Sequence, residues 1–439
     1  MPPDRQLNFK TLLVLWSPLA IMWIVMAVEQ PAITAAIARL DEAKIQLAAF
    51  GFTFALALFI EGPVIQMLAA GTAISDTKDS YKKILKVMHV LGVGCTGVHL
   101  FFSIPSVFRF IAEDLIQIPR ELVAPSWQSF FVMTPWAIAV GYRRLWQGVM
   151  IKYGRSAAVP ITMYIRLGVS GLVLIIGLVV KTIPGALLGG LSLSLGVIAG
   201  AVASGLYTLP IVRNRMPEKR EGVTEYSTRE IGRFYFPLGL TSLITLGSRP
   251  ILNFGIARGL LPLESLAVWP VILGYLFVYT AISLSLQEIV IAQLKGLKSM
   301  ASLKQFVNRI AFGVLAVYCI VLITPLRELW FSKVAGLPED LLFLVPFTVM
   351  LLSVTPFIQC YTSLYRGILV SLRRTTVVTI GVGINVGLLL LLTFAAAAFI
   401  PTSGVYLAAG AFTLAYGVEC IYLAVRVKQI NPFAVLSHG

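Results

Sequence analysis

Charge is scarce in this chain: 13% of its 439 residues are Asp, Glu, Lys or Arg. That leaves too little polar surface to cover a soluble globule of 47.8 kDa, and the mean hydropathy of +0.87 points instead to a polytopic membrane protein. Cysteine is limited to Cys95, Cys319, Cys360 and Cys420, all inside apolar runs and without metal-ligand spacing, so they read as packing residues and imply no disulfide framework. Histidine is rarer still. His89 and His99 share one apolar run, ten positions apart and with no acidic companion, which is not the signature of a metal or catalytic site. There is no Walker A pattern, so ATP is not expected to drive the protein directly. Nor is there a pair of catalytic carboxylates or a Ser-His arrangement, and no enzyme activity and no cofactor are expected.

What fills the chain is apolar sequence. Twelve apolar runs can be drawn, near residues 11–38, 46–73, 84–104, 123–150, 157–180, 183–211, 231–257, 265–293, 305–325, 341–369, 376–400 and 402–426. Most exceed the roughly 20 residues a helix needs to cross the hydrocarbon. The first is far longer than a signal peptide's apolar core and is expected to be retained. The net charge of +15 does not call for a nucleic-acid partner, because the basic residues sort by side. Of 35 Lys and Arg, 22 fall in the termini and even-numbered connections and 8 in the odd-numbered ones, the other five lying inside spans. The positive-inside rule then places both termini in the cytoplasm of an inner (plasma) membrane protein. The stretch 80–86 reads as an amphipathic segment at the cytoplasmic interface and 105–122 as a short external helix or loop, neither carrying chemistry.

Residues 18–39 reappear without a gap as residues 237–258, an offset of 219, half the chain. Pro18-Leu19 matches Pro237-Leu238, Pro31 matches Pro250, and Ile37 to Arg39 matches Ile256 to Arg258. The same offset sets Tyr142, Leu145, Trp146 and Gly148 on Tyr361, Leu364, Tyr365 and Gly367, Arg155 on Arg374, and Arg166 on Asn385. A constant register over several spans means an internal repeat. The expected organisation is a six-helix half over 1–212, a cytoplasmic linker over 213–230 carrying Arg213, Arg215, Glu218, Lys219, Arg220, Glu221 and Glu225, and a second six-helix half over 231–439. With six helices each, the halves insert in the same sense, a parallel repeat around a central cavity.

Charges inside spans are costly and mark candidate sites. Glu29 and Gln30 precede Pro31 on span 1; Ser248 and Arg249 precede Pro250 on span 7. Each proline removes a backbone hydrogen bond and is expected to act as a hinge. A carboxylate beside freed carbonyls suits a cation and the arginine an anion, with mutual pairing of Glu29 and Arg249 as the alternative. Asn253 lies one turn beyond Arg249 on the same face, so the two can share one anion. Span 2 adds Glu61 before Gly62-Pro63, either an ion site or an arginine's partner. Span 4 carries Arg143 and Arg144, span 5 Arg166, and span 10 Gln359, Tyr361 and Arg366, the arginines near the ends being candidates for snorkelling to lipid phosphates. Glu288 on span 8 is a candidate gate and Glu419 on span 12 a partner for Arg426. The glycines of span 6 read as close helix packing. Five arginines against four acids favour an anionic cargo.

Two six-helix halves in parallel repeat with kinked first and seventh spans resemble the superfamily uniting multidrug and toxic compound extrusion (MATE) transporters with oligosaccharide-lipid flippases. More pointed segments resemble the progressive ankylosis (ANK) family: Glu29-Gln30, Leu47 to Gly51 leading to Phe59-x-x-Gly62-Pro63, Ser248-Arg249-Pro250-Ile251-x-Asn253, and Glu288-Ile289. That resemblance implies export of small polyanions such as citrate, pyrophosphate or nucleotides. The chain lacks the acidic tail of animal members and has an Arg-rich span 4, and so looks like a prokaryotic relative. The expectation is a monomeric secondary transporter working by rocker-switch alternating access, with Arg249, Asn253, Arg166, Gln30, Ser248, Gln359 and Tyr361 on the substrate, and Glu29, Glu61 and Glu288 coupling to H+ or Na+ or gating. A MATE-type exporter of drugs or cations, in which the arginines are counter-ions, and a flippase of lipid-linked substrates are the alternatives.

Overall fold

The computed structural model describes residues 7–155, 157–218, 227–294, 296–372 and 374–430. Arg5 and the linker residues Lys219, Arg220, Glu221 and Glu225 lie outside these. Among the described residues the chain is all-helical, apart from one parallel bridge between Leu260 and Ser403. In a bilayer this is the expected economy, since a helix satisfies its own backbone groups.

Every apolar run coincides with helix. Span 1 comprises Phe9–Ala27 and Glu29–Ile37, interrupted at Val28. Span 2 runs Ala43–Glu61, makes a tight turn at Gly62–Val64 and resumes as Met67–Ile74. Span 3 is Lys78–Phe102, whose first turns absorb the interfacial stretch and are capped by Thr77 and Ser80. Span 4 is Val123–Val132 plus Trp136–Lys152, and spans 5 and 6 are Ala158–Val180 and Gly185–Asn214. Span 7 is Thr228–Arg258, continuous through Pro250, so the helix ladder is interrupted beside Pro31 and not beside its repeat mate. Spans 8 and 9 are Pro262–Gln293 and Leu297–Ile323; span 10 is Val345–Leu351 plus Thr355–Ser371; spans 11 and 12 are Thr375–Phe399 and Gly404–Ile430.

Nine helices among the described residues are long and apolar enough to cross a membrane unaided. Spans 4 and 10 fall short because each is broken, span 10 by a bend of 41°. Span 7 falls short because Arg249, Asn253 and its small polar residues dilute the apolar run.

The repeat read from the sequence recurs in the backbone at the same offset. Trp136–Lys152 and Thr355–Ser371 are both 17-residue helices whose ends lie 219 residues apart. Left-handed residues occur in register at Glu42 and Leu261 (φ 52° and 54°) and at Gln117 and Gly336 (φ 63° and 68°). Each half also has a wide turn outside the spans, Phe110–Ile116 and Leu329–Val334, closed by matching bonds: Ile118 N–H to Ala112 O at 3.0 Å, and Leu337 N–H to Phe331 O at 2.9 Å.

Contacts divide the chain into two compact units that do not follow the sequence halves: Ala36–Ala257, and Met1–Ala35 with Arg258–Gly439. Span 1 packs with the C-terminal spans and span 7 with spans 2–6. In the first unit, spans 2, 4 and 6 pack on one another, span 5 lies on span 6 and span 3 on span 4. Gly148 makes one of these contacts possible, because a Cβ there would lie 2.4 Å from the Leu68 carbonyl oxygen. In the second unit, spans 8, 10 and 12 form the equivalent core, span 11 lies on span 12, and Phe9–Ala27 packs along span 8.

Candidate functional site

The unit Ala36–Ala257 buries a cluster of charge. Span 4 must restart after Pro135, which has no N–H to donate, and Thr134 turns its hydroxyl onto Phe131 O at 2.6 Å. From the new helix start, Trp136, Arg143, Arg144 and Gln147 recur at a spacing that puts them on one side of the helix. Trp136 donates its indole N–H to the Glu61 carboxylate on span 2. The charges of Arg143, Arg144 and Arg166 all bear on Glu61. Glu61 is 5% exposed, Arg143 3% and Arg166 8%. Three guanidiniums therefore share one carboxylate in an interior where each buried ion costs several kcal/mol to desolvate. The cluster holds an excess of positive charge.

Polar and aromatic side chains of spans 4 and 5 line these arginines. Arg143 donates to Met163 Sδ at 3.1 Å, a weak acceptor. Gln147 donates to the Thr162 hydroxyl at 3.2 Å, and the Arg166 guanidinium lies 5.9 Å from the Trp136 ring centre. Among the described residues Arg144 Nε has no hydrogen-bond acceptor. Span 6 makes room: a Cβ on Gly200 would meet Arg166 Cβ at 3.2 Å and Arg143 Cδ at 3.3 Å. The glycine stripe thus serves arginine stems as well as the helix packing the sequence suggested. Arg143 is buried in protein, not extended to the lipid surface.

Span 7 brings Arg249 and Asn253 into this same unit. It docks on the end of span 2 through Tyr235 OH to Pro63 O at 2.7 Å and Gln66 Nε2 to Ser242 Oγ at 2.9 Å. Asn253 is 3% exposed and its Nδ2 has no acceptor among the described residues, a buried donor whose desolvation goes uncompensated there. Arg249 is half-buried, and the Ser248 hydroxyl is turned back onto Thr245 O at 2.7 Å.

The other expected residues belong to the second unit. Glu29, Gln30 and Pro31 are half-buried on span 1, with the Pro31 ring against span 8 where a Cβ on Gly274 would meet it at 3.3 Å. Two tryptophans of span 1 tie it to span 8: Trp16 Nε1 to Ser285 Oγ at 2.8 Å and Trp23 Nε1 to Glu288 Oε1 at 3.2 Å. Gln359 faces span 8, where Ser283 lies 3.5 Å from its Oε1. Tyr361, two residues on and so on the other side of the helix, donates to Asn308 on span 9. The structure therefore separates Tyr361 from Gln359. Glu419 does not pair with Arg426: Arg366 Nε donates to Glu419 Oε1 at 2.9 Å, whereas Arg426 bonds Gln429 at 3.0 Å on its own helix. The nearer arginine in sequence loses because a fully buried carboxylate needs a donor from inside the core.

Sequence reasoning passed over Trp136, Gln147, Trp23 and Met163. The only available signal for Trp136 was its place directly after Thr134-Pro135, where an interrupted helix exposes a new first turn.

Residues 4–273 match the family described as Progressive ankylosis protein (ANKH). No curated protein matches the chain in a sequence search. Among solved structures, an inward-facing MATE family multidrug resistance transporter of the MOP superfamily superposes with a TM-score of 0.75 at 12% identity, over 95% of this chain and 99% of its own. A MOP superfamily transporter from Pyrococcus furiosus, described by the reverse polarity of its binding pocket, gives 0.64 at 15% identity over 97% of each chain. The lipid II flippase MurJ in an inward closed conformation gives 0.68 at 11% identity, over 97% of this chain and 90% of its own. At such identities the likeness is one of fold, and the fold is MATE-like.

Proposed function

The chain belongs to the progressive ankylosis protein family, and on that premise we propose that it is a secondary active transporter, an exporter of small organic or phosphorylated polyanions such as citrate, pyrophosphate or nucleotides. The observation that carries this reading is the buried excess of arginine over carboxylate around Glu61. An apolar interior that keeps Arg143, Arg144 and Arg166 against a single carboxylate is suited to a multiply charged anion and hostile to an organic cation. Arg166, Arg249 and Asn253, all in one unit, hold the anion. Asn253 contributes an unused donor, and a guanidinium can grip a carboxylate or phosphate with two parallel bonds. Gln30, Ser248 and Gln359 are assigned to the substrate path, Glu29, Glu61 and Glu288 to coupling with H+ or Na+ or to gating, and Pro31 and Pro250 to hinges.

The protein moves its cargo by rocker-switch alternating access, the mode that a parallel repeat permits. It works as a monomer in the inner (plasma) membrane with both termini cytoplasmic, and it needs no nucleic-acid partner. The Pyrococcus furiosus transporter supports a change of cargo on this fold, since its pocket polarity is described as reversed. The test is uptake of radiolabelled citrate, pyrophosphate and ATP into proteoliposomes, with and without proton or sodium gradients. Saturable uptake that is lost in Arg249→Gln is the expected result. Exclusion of every anion while cationic dyes cross would replace this reading with the MATE-type cation exporter.

A further inference from the structure

We propose that Glu61 is a built-in competitor for the arginine cluster, so that a substrate anion binds there together with one proton taken up by Glu61. This rests on the polyanion reading above and names how that same site is regulated.

Glu61 already does to the cluster what a substrate carboxylate would do. It is 5% exposed, it accepts from Trp136, and it lies within the field of Arg143, Arg144 and Arg166. A dianion or trianion entering beside it adds like charge next to a carboxylate that cannot be screened by water. That repulsion is removed without loss of any arginine if Glu61 is protonated first. Arg144, whose Nε has no acceptor, then faces the incoming anion instead of Glu61. The remaining groups around Glu61 cannot substitute for it as the proton acceptor. Span 3 contributes Cys95, a buried thiol, and His99, whose Nε2 is held by Phe130 O at 2.7 Å. Span 4 contributes Trp136 and two arginines, and span 5 Arg166. Span 6 has no titratable side chain between Gly185 and Gly205. Span 7 contributes Tyr235, whose hydroxyl is bonded to Pro63 O at 2.7 Å. Glu61 is the one carboxylate in this set, so it is the group that titrates against anion binding.

The experiment is isothermal titration of the purified, detergent-solubilised chain with citrate and with ATP at mildly alkaline pH, where both ligands are fully ionised. Repeating it in buffers of different ionisation enthalpy counts the protons taken up. One proton per bound anion is expected, with an apparent Kd that weakens about tenfold per pH unit once Glu61 is ionised in the free protein. Glu61→Gln should bind more tightly, with no proton uptake and a flat pH profile. The proton count on the unmodified protein stands alone should the variant misfold, and Trp136→Phe, which retains Glu61, should still take up the proton. Binding without proton uptake, and unchanged in Glu61→Gln, would overturn the inference and leave the polyanion reading standing. Failure of both anions to bind the folded protein and the folded Glu61→Gln variant would overturn the polyanion reading itself.

Discussion

The Arg366–Glu419 pair gives the sharpest stability prediction. Glu419 is wholly buried on span 12, while the Arg366 side chain on span 10 retains 25% exposure. Among the described residues Glu419 Oε2 has no hydrogen-bond partner, and Arg366 is the cation paired with the carboxylate. Removing one member of a buried pair typically costs about 3–5 kcal/mol, because the survivor is left as an uncompensated ion, whereas replacing both by apolar residues is often neutral or stabilising. The exposures set an order. Arg366→Met strands a carboxylate with no water and should cost near the upper end of that range. Glu419→Leu strands an arginine that can still reach solvent and should cost nearer about 2–3 kcal/mol after discounting for screening. The double variant should recover most of the loss. The assay is thermal unfolding in detergent for the wild type, both single variants and the double variant, read as a double-mutant cycle. Equal stability of Arg366→Met and wild type, or additive losses in the double variant, would refute the pairing.

Two glycines separate contact from propensity. Gly148→Ala places a Cβ 2.4 Å from the Leu68 carbonyl oxygen and should lose about 1–3 kcal/mol in melting experiments, while Gly94→Ala meets nothing within 4 Å and should leave stability unchanged or slightly raised. Asn253→Leu should leave folding intact, since it removes a buried donor that has no acceptor, and should weaken anion uptake several-fold in vesicles. At the head of span 7, the Ser227 N–H donates to Glu230 at 2.7 Å and holds its carboxyl below the usual range. A depressed value means the cap is complete above the ordinary carboxylate range and is lost as pH falls through the lowered value. Protection of the 227–230 amides, taken relative to the intrinsic exchange rate at each pH, should therefore fall on acidification and lose that dependence in Glu230→Gln.

How much of this was legible beforehand depends on the range of the interaction. The spans and the 219-residue repeat are local patterns of hydropathy and residue order, and helix starts such as Trp136 and Thr355 recur at that offset. Charge inside the spans could also be counted. Partnership could not, because it is decided by which faces meet. Arg426 is seven residues from Glu419 and reads as its partner, yet Arg366, 53 residues away, takes the carboxylate. Gln359 and Tyr361 are neighbours in sequence but point about 200° apart around a helix, so they cannot share a ligand through one face. Pro31 and Pro250 are matched prolines, but only the first sits beside an interrupted ladder. The grouping of span 1 with the C-terminal spans and of span 7 with spans 2–6 is likewise a product of packing. It puts Arg249 and Asn253 in the unit that contains the Glu61 cluster, which no periodicity could show.

The most direct test of the central claim is the current evoked when proteoliposomes on a solid-supported membrane meet a step in substrate concentration. A jump in citrate, pyrophosphate or ATP should produce a current that saturates with concentration and vanishes in Arg166→Gln and Arg249→Gln, while a jump in an organic cation such as ethidium produces none. Currents evoked by the cation and not by any of the anions would contradict the account, and would mean that the buried arginines serve the fold alone.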